Sequence, residues 1–396
     1  MTISRALAAA AVALTLTACE KKPAEGPQPG PGTAAGEVIL FGHVASMTGN
    51  EATFGDSSDK AIRLAVDEVN AAGGVKGRRL AVKTYDDQGK PEEASVAATR
   101  LIVQDKVAVL LGEVASSRSL AMAPIADAKG VPMISPSSTN PKVTVDDDGK
   151  VRPFVFRVCF IDPFQGTVMA RFAREKMNVQ KVAILRDIKN AYSVGLADYF
   201  LSTFKELGGT IVDDQSYKAG DPDFKAQLTA IKGKGPEAIY VPGYYTDVGL
   251  IARQARELGM KQPLMGGDGW DSAKLYEIGG KALDGSYFSN HYSPDDPSPR
   301  IQEFVAKYKA RHGAVPDSLA AQAYDAARIA VDAIARAPDL SGTAIRDALA
   351  ATRDYPGVTG IITIDGQHNA VKPAVVLEVK DNAPRWVATI EPDAKK

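Results

Sequence analysis

From residue 37 onward the chain alternates between two hydrophobic rhythms. Short apolar stretches, EVILFGHVA from Glu37, RLAVKTYDD from Arg79, VAVLLG from Val107 and VPMIS from Val131, read as strands. Between them, SSDKAIRLAVDEVNAAGG places Ile62, Val66 and Val69 on one helical face and ends on glycines. PEEASVAATRLIVQD opens on Pro91, a residue suited to a first helical position, and a further helix is expected to kink or break near Pro124. The same succession then begins again. Strands KVAILRD, TIVDDQSY and AIYVPG alternate with helical stretches before PLMGG at 263. Beyond Tyr292 three helical patterns precede two closing strands, GIITID and AVVLEVK.

Such alternation calls for α/β architecture, parallel sheets covered by helices on both faces. Two runs of it predict two doubly wound lobes joined by several crossing strands. The expected boundaries are 37–158 plus 292–372 for the first lobe, and 159–291 plus 373–392 for the second.

The leading residues follow another pattern. One basic residue, Arg5, precedes an apolar run from Ala6 to Leu16, too short to span a bilayer; residues 1–18 read as an export signal. The segment from 19 to 36 is rich in Pro and Gly and reads as a flexible tether. That leaves Cys159 as the only other thiol, so no internal disulfide is expected, and its apolar neighbours suggest a small buried hydrophobe. With 47 basic and 48 acidic residues interleaved, nothing points to nucleic acid.

Ligands of open α/β sheets sit beyond the carboxyl ends of the strands. There the sequence places GEVASSRS, with Ser116 and Ser117 opening a helix, and ISPSSTNP, with Ser137, Ser138 and Thr139. Hydroxyls and free amides at a helix start suit a small anion, and equally suit simple capping. Tyr192, Tyr244 and Tyr245 follow later strands, as does Asp268, an acceptor fit for an ammonium group. Together these residues fit an amino-acid zwitterion. Catalytic motifs are missing: no G-x-S-x-G, H-E-x-x-H or G-x-x-x-x-G-K-[ST] occurs. His43, His291, His312 and His368 are scattered, so neither an enzyme, a metal nor a cofactor is expected.

The stretches SMTGNEATFGDSSDKAIRLAVDEVNAAGGVKG, VKTYDDQGKPEEA, GEVASSRS, ISPSSTNP, YVPGYYTDVGLIARQARELG and MGGDGWD, in this order, resemble the periplasmic leucine/isoleucine/valine-binding proteins of ATP-driven importers. The resemblance implies the type I periplasmic-binding-protein fold over about Glu37 to Ile390. It implies a monomer that captures an amino acid by hinge closure and delivers it to a membrane permease; a sensor built on the same fold is the alternative. Carried over, the ligand carboxylate falls to Ser116, Ser137, Ser138 and Thr139. The amine falls to Asp268 and Tyr244, with Phe54, Val114, Ala115, Tyr192 and Trp270 lining the pocket. Leu16-Thr17-Ala18-Cys19 resembles a lipobox, implying an exported lipoprotein held at a membrane by acylated Cys19 alone. The departures are Ser137 and Ser138 where alanines are usual, Phe54 for a tyrosine, Trp270 after the acid, and Gly89 and Ala115 in place of a cysteine pair.

Overall fold

Five short strands form the first sheet: β1 (Ile39–Ala45), β2 (Leu80–Asp86), β3 (Val109–Leu111), β4 (Met133–Ser135) and β5 (Val155–Arg157); β3, β4 and β5 are buried throughout, whereas β2 lies at the edge and is only half-buried. In the computed structural model, which describes residues 38–392, they run parallel in the order β2-β1-β3-β4-β5. The segments expected to be an export signal and a tether, with Cys19, lie outside the described residues. Among the described residues no helix is long and apolar enough to cross a membrane.

A second sheet repeats the plan with β6 (Lys181–Asp187), β7 (Thr210–Tyr217), β8 (Ala238–Tyr240), β9 (Leu264–Gly266) and β10 (Tyr287–Asn290). Their order, β7-β6-β8-β9-β10, is that of the first sheet, and all five are parallel. A small antiparallel sheet of β11 (Tyr355–Gly357), β12 (Gly360–Ile364) and β13 (Ala370–Val371) follows in the chain. The antiparallel strands β14 (Ala374–Lys380) and β15 (Ala383–Ile390) then extend the second sheet beyond β10.

The helices cover both faces. The first sheet carries α1 (Ala52–Ala71), α2 (Pro91–Val103) and α3 (Ser116–Lys129). The second carries α4 (Asp162–Arg171), α5 (Ala191–Glu206), α6 (Lys225–Gly233), α7 (Tyr245–Glu257) and α8 (Ala273–Gly279). Three more, α9 (Pro299–His312), α10 (Ser318–Arg336) and α11 (Gly342–Ala350), return to the first lobe, where α10 packs along α1. Ile62, Val66 and Val69 are all buried on α1, as their spacing requires.

The chain passes between the sheets three times: from β5 to α4, from β10 to α9, and from β13 to β14. Apolar side chains form one cluster around the second sheet and two on the faces of the first. Phe54, Val114, Ala115 and Leu319 from the first lobe join the second lobe's cluster, so the lobes are closed on each other.

Two sequence expectations change. Helix α3 runs unbroken through Pro124. Strand β15 was not expected: its exposed Arg385, Trp386 and Val387 give no alternating pattern, because β15 is an edge strand. The signal for it is the pair Asp381-Asn382, both at positive φ (53° and 57°), which suits a two-residue hairpin turn.

Candidate functional site

Because β1 and β3, and likewise β6 and β8, lead their chains away to opposite faces, a crevice opens beyond their carboxyl ends. Equivalent strands of the two lobes furnish its walls. Phe54 comes after β1 and Tyr192 after β6; Val114, Ala115 and Ser116 come after β3 and Tyr244 after β8; Ser137 comes after β4 and Asp268 after β9. These residues, with Gly269 and Leu319, line one small cavity between the lobes. All of them are buried, as in a cleft closed around one small solute.

The first-lobe wall carries no charged group at the cavity; its polar side chains there are Ser116 and Ser137. Ser116 begins α3, where amides of the first turn have no carbonyl one turn back to bond. Its Oγ accepts the Asn140 amide (3.2 Å), which leaves the hydroxyl proton free to donate into the cavity. Ser137 donates to the Val114 carbonyl (2.9 Å), so its oxygen remains an acceptor. Behind the serines stands a buried ionic cluster. Glu113 Oε2 accepts the Ala115 amide (2.6 Å) and Arg118 Nε (2.8 Å), while Arg118 Nη1 reaches Glu51 Oε2 (3.1 Å). Burial works against the Arg118 charge, but Glu113 and Glu51 outweigh it and raise the guanidinium's pKa. The cluster fixes the serine loop.

The second-lobe wall carries a charge aimed at the cavity. Asp268 Oδ1 accepts Gln165 Nε2 (2.7 Å), and Oδ2 meets His291 Nε2 (3.0 Å). Tyr192 and Tyr244 stack in parallel, 5.3 Å between centroids, and Tyr244 meets Phe54 edge-on at 5.6 Å. The Tyr192 hydroxyl accepts the Gly269 amide (3.2 Å), holding the aspartate's loop. The glycines of this loop make room for rings: a Cβ at Gly267 would lie 2.4 Å from the Tyr192 hydroxyl, and one at Gly266 would lie 2.2 Å from the Trp270 indole.

Several expected site residues stand elsewhere. Trp270 is fully buried behind the loop, donates its indole N–H to the Val241 carbonyl (3.0 Å) and packs on Phe288, so it does not line the cavity. Ser138 turns away to Ser119 Oγ (2.7 Å) and the Glu113 carbonyl (3.0 Å). Thr139 faces the start of α4, its carbonyl accepting the Asp162 amide (2.9 Å). Neither hydroxyl belongs to the cavity lining. Cys159 is buried, its thiol pushed up to about 12 chiefly by desolvation, so it is inert as a nucleophile.

Sequence reasoning missed Gln165, His291, Leu319 and the Glu113–Arg118 pair. A signal existed for the pair alone: an acid and a base flank the serines in an otherwise apolar loop. The others come from distant segments whose approach only the fold specifies.

Contacts across the cleft complete the closed form. The Thr53 and Ser272 hydroxyls lie 2.9 Å apart, the Ala191 amide donates to Ser117 Oγ (2.9 Å), and the Thr246 hydroxyl donates to the Asn50 carbonyl (2.7 Å).

Comparison with known proteins agrees with this geometry. The periplasmic binding protein family matches residues 38–384. A Leu/Ile/Val-binding protein homolog of Brucella melitensis is 33% identical over 306 residues, covering 77% of this chain and 81% of the relative. The crystal structure of the leucine-binding protein LivK from Thermotoga maritima superposes with a TM-score of 0.85 at 40% identity, over 90% of this chain and 99% of the other. The branched-chain amino acid transporter substrate-binding protein LivJ from Streptococcus pneumoniae, solved with isoleucine, gives 0.84 at 34%, over 90% of this chain and 100% of the other. The chain belongs to the periplasmic binding protein family: it is a solute-binding protein and not an enzyme.

Proposed function

We propose that the protein is the substrate-binding component of an ATP-driven importer, that it captures a branched-chain or similarly apolar amino acid, and that it passes this cargo to a membrane permease. One observation carries the reading: Ser116, at the open start of α3, and Asp268 face the same small cavity from opposite lobes. The ligand carboxylate would rest on the Ser116 hydroxyl and the first amides of α3, the ammonium group on Asp268. Phe54, Val114, Tyr192, Tyr244 and Leu319 leave only apolar and aromatic surface for the side chain. The names of the relatives support the same substrate class.

In this reading the lobes are 37–158 plus 292–372 and 159–291 plus 373–392, and the three crossings between them act as a hinge. Inverting a 1:99 open equilibrium to 99:1 takes about 5.5 kcal/mol of preference for the closed form. One charge-assisted contact supplies about 1.5–3 kcal/mol, so both ends of the zwitterion are needed. The protein would work as an exported monomer, tethered through acylated Cys19. Calorimetric titration with leucine, isoleucine and valine tests the reading: saturable binding of at least one is expected, and no heat from any of them, nor any shift in melting temperature, would overturn it.

A further inference from the structure

Two buried polar side chains have no place in the scheme so far. Gln165 sits in the first turn of α4, directly after the first crossing between the lobes. His291 sits directly after β10, at the start of the second. Both reach Asp268, and they reach different oxygens.

We infer that Gln165 and His291 are positioning residues for the ligand's ammonium group: they clamp the Asp268 carboxylate from behind with two neutral donors, leaving its charge for the ligand. The inference rests on the assignment of Asp268 to the amine.

A carboxylate offers about four lone-pair sites. Two are taken by the clamp, on separate oxygens, which stops the group from turning about its own axis and directs what remains toward the cavity. The chemistry of the donors matters as much as their place. An arginine or lysine at either position would neutralise Asp268 permanently. An amide and a neutral imidazole hold it without doing so.

The surroundings keep the imidazole neutral. Its ring stacks on Phe160, 3.8 Å between centroids and 23° from parallel. Its Nδ1 is buried without a hydrogen-bond partner among the described residues, so a proton there would have no acceptor. The remaining proton therefore belongs on Nε2, the atom facing Asp268. Burial pushes the imidazole down to about 4, against the pull of Asp268; the Lys372 ammonium, the other charge acting on it, works in the same direction as burial. The Gln165 amide is oriented by the same logic, since its nitrogen and not its oxygen must face a carboxylate.

The test compares Gln165→Met and His291→Phe, which keep volume and, for the second, the stack on Phe160, in both the wild-type and the Asp268→Asn background. Leucine titration should show each variant losing about tenfold or more in affinity, since each removes a bond to a charged group. In the Asp268→Asn background neither change should shift the residual affinity by more than about twofold, because both act through that carboxylate. Nitrogen-15 NMR of the histidines gives a second readout on the unaltered protein. It should find His291 as the neutral Nε2–H tautomer from pH 5 to 8, with its Nε2 signal moving when leucine binds. A wild type that binds none of leucine, isoleucine and valine overturns the reading of Asp268 and this inference with it. A wild type that binds leucine, with variants that bind it equally well or lose the same factor in both backgrounds, overturns this inference alone. So does an Nδ1–H or doubly protonated ring.

Discussion

The two walls of the cavity each contain a buried acid, and the two acids are treated in opposite ways. In the first lobe Glu113 meets the Arg118 guanidinium at 2.8 Å and the Ala115 amide at 2.6 Å. Its charge is cancelled in place, and what it builds is the shape of the serine loop. In the second lobe Asp268 meets an amide and an imidazole, and no arginine or lysine pairs with it among the described residues. A buried charge left uncompensated is costly unless something else arrives to pair with it. The contrast separates an acid that holds the structure from one that waits for a cation.

The sharpest way to break this comparison is to neutralise each acid in turn. Asp268→Asn should weaken leucine binding by more than about a hundredfold, since truncating one partner of a buried charge pair costs about 3–5 kcal/mol. Glu113→Gln should act mainly on stability, lowering it by up to about 3 kcal/mol in chemical denaturation, as Arg118 loses its nearest counter-charge while Glu51 remains. Equal effects of the two changes on affinity would remove the distinction between them.

A smaller effect sharpens the first-lobe side. Ser116→Ala should cost about tenfold in affinity, the low end for one hydrogen bond to a charged group, because the α3 amides stay in place. Ser138→Ala, whose hydroxyl points to Ser119 and the Glu113 carbonyl, should leave affinity unchanged. Titration of both variants checks the assignment, and the reverse order of effects would move the carboxylate's seat to the ISPSSTNP loop.

The smallest effect concerns pH. Asp247 lies beside the rim contact of Thr246 with Asn50 and accepts the Gly220 amide (3.1 Å). Burial, with Glu51, Asp187 and Asp221 nearby, pushes its carboxyl from the ordinary 3.8 up to about 7, despite that amide. A raised carboxyl gives its full contribution to stability below about pH 4 and loses it as pH rises through about 7. If opening the cleft returns Asp247 to water, closure takes up a proton between these limits. Leucine binding at pH 6 should then draw a proton from the buffer and weaken modestly toward pH 8. Binding enthalpies that do not depend on the buffer's own ionisation would show that Asp247 does not follow closure.

Much of this molecule can be read from the chain because its signals are local. Apolar runs and helical spacing mark the doubly wound plan, and the order of strand-end loops brings Ser116, Tyr192, Tyr244 and Asp268 together, while Phe54 is reached only through the family resemblance. What sequence could not separate was direction. Ser137 and Ser138 are neighbours in a tight turn, yet one lines the cavity and the other braces the loop behind it. Trp270, two residues beyond the acid, enters the core because Gly266 leaves space for its ring. Gln165 and His291 lie 103 and 23 residues from Asp268, and no local rule links them to it.

The most direct measurement uses leucine and its two halves: 4-methylpentanoate, which lacks the amine, and 3-methylbutylamine, which lacks the carboxylate. Calorimetric titration of the wild-type protein should show leucine binding at least about a hundredfold more tightly than either half. A half-ligand that binds as tightly as leucine would mean that one pole is not gripped, and the two-walled clamp would be wrong.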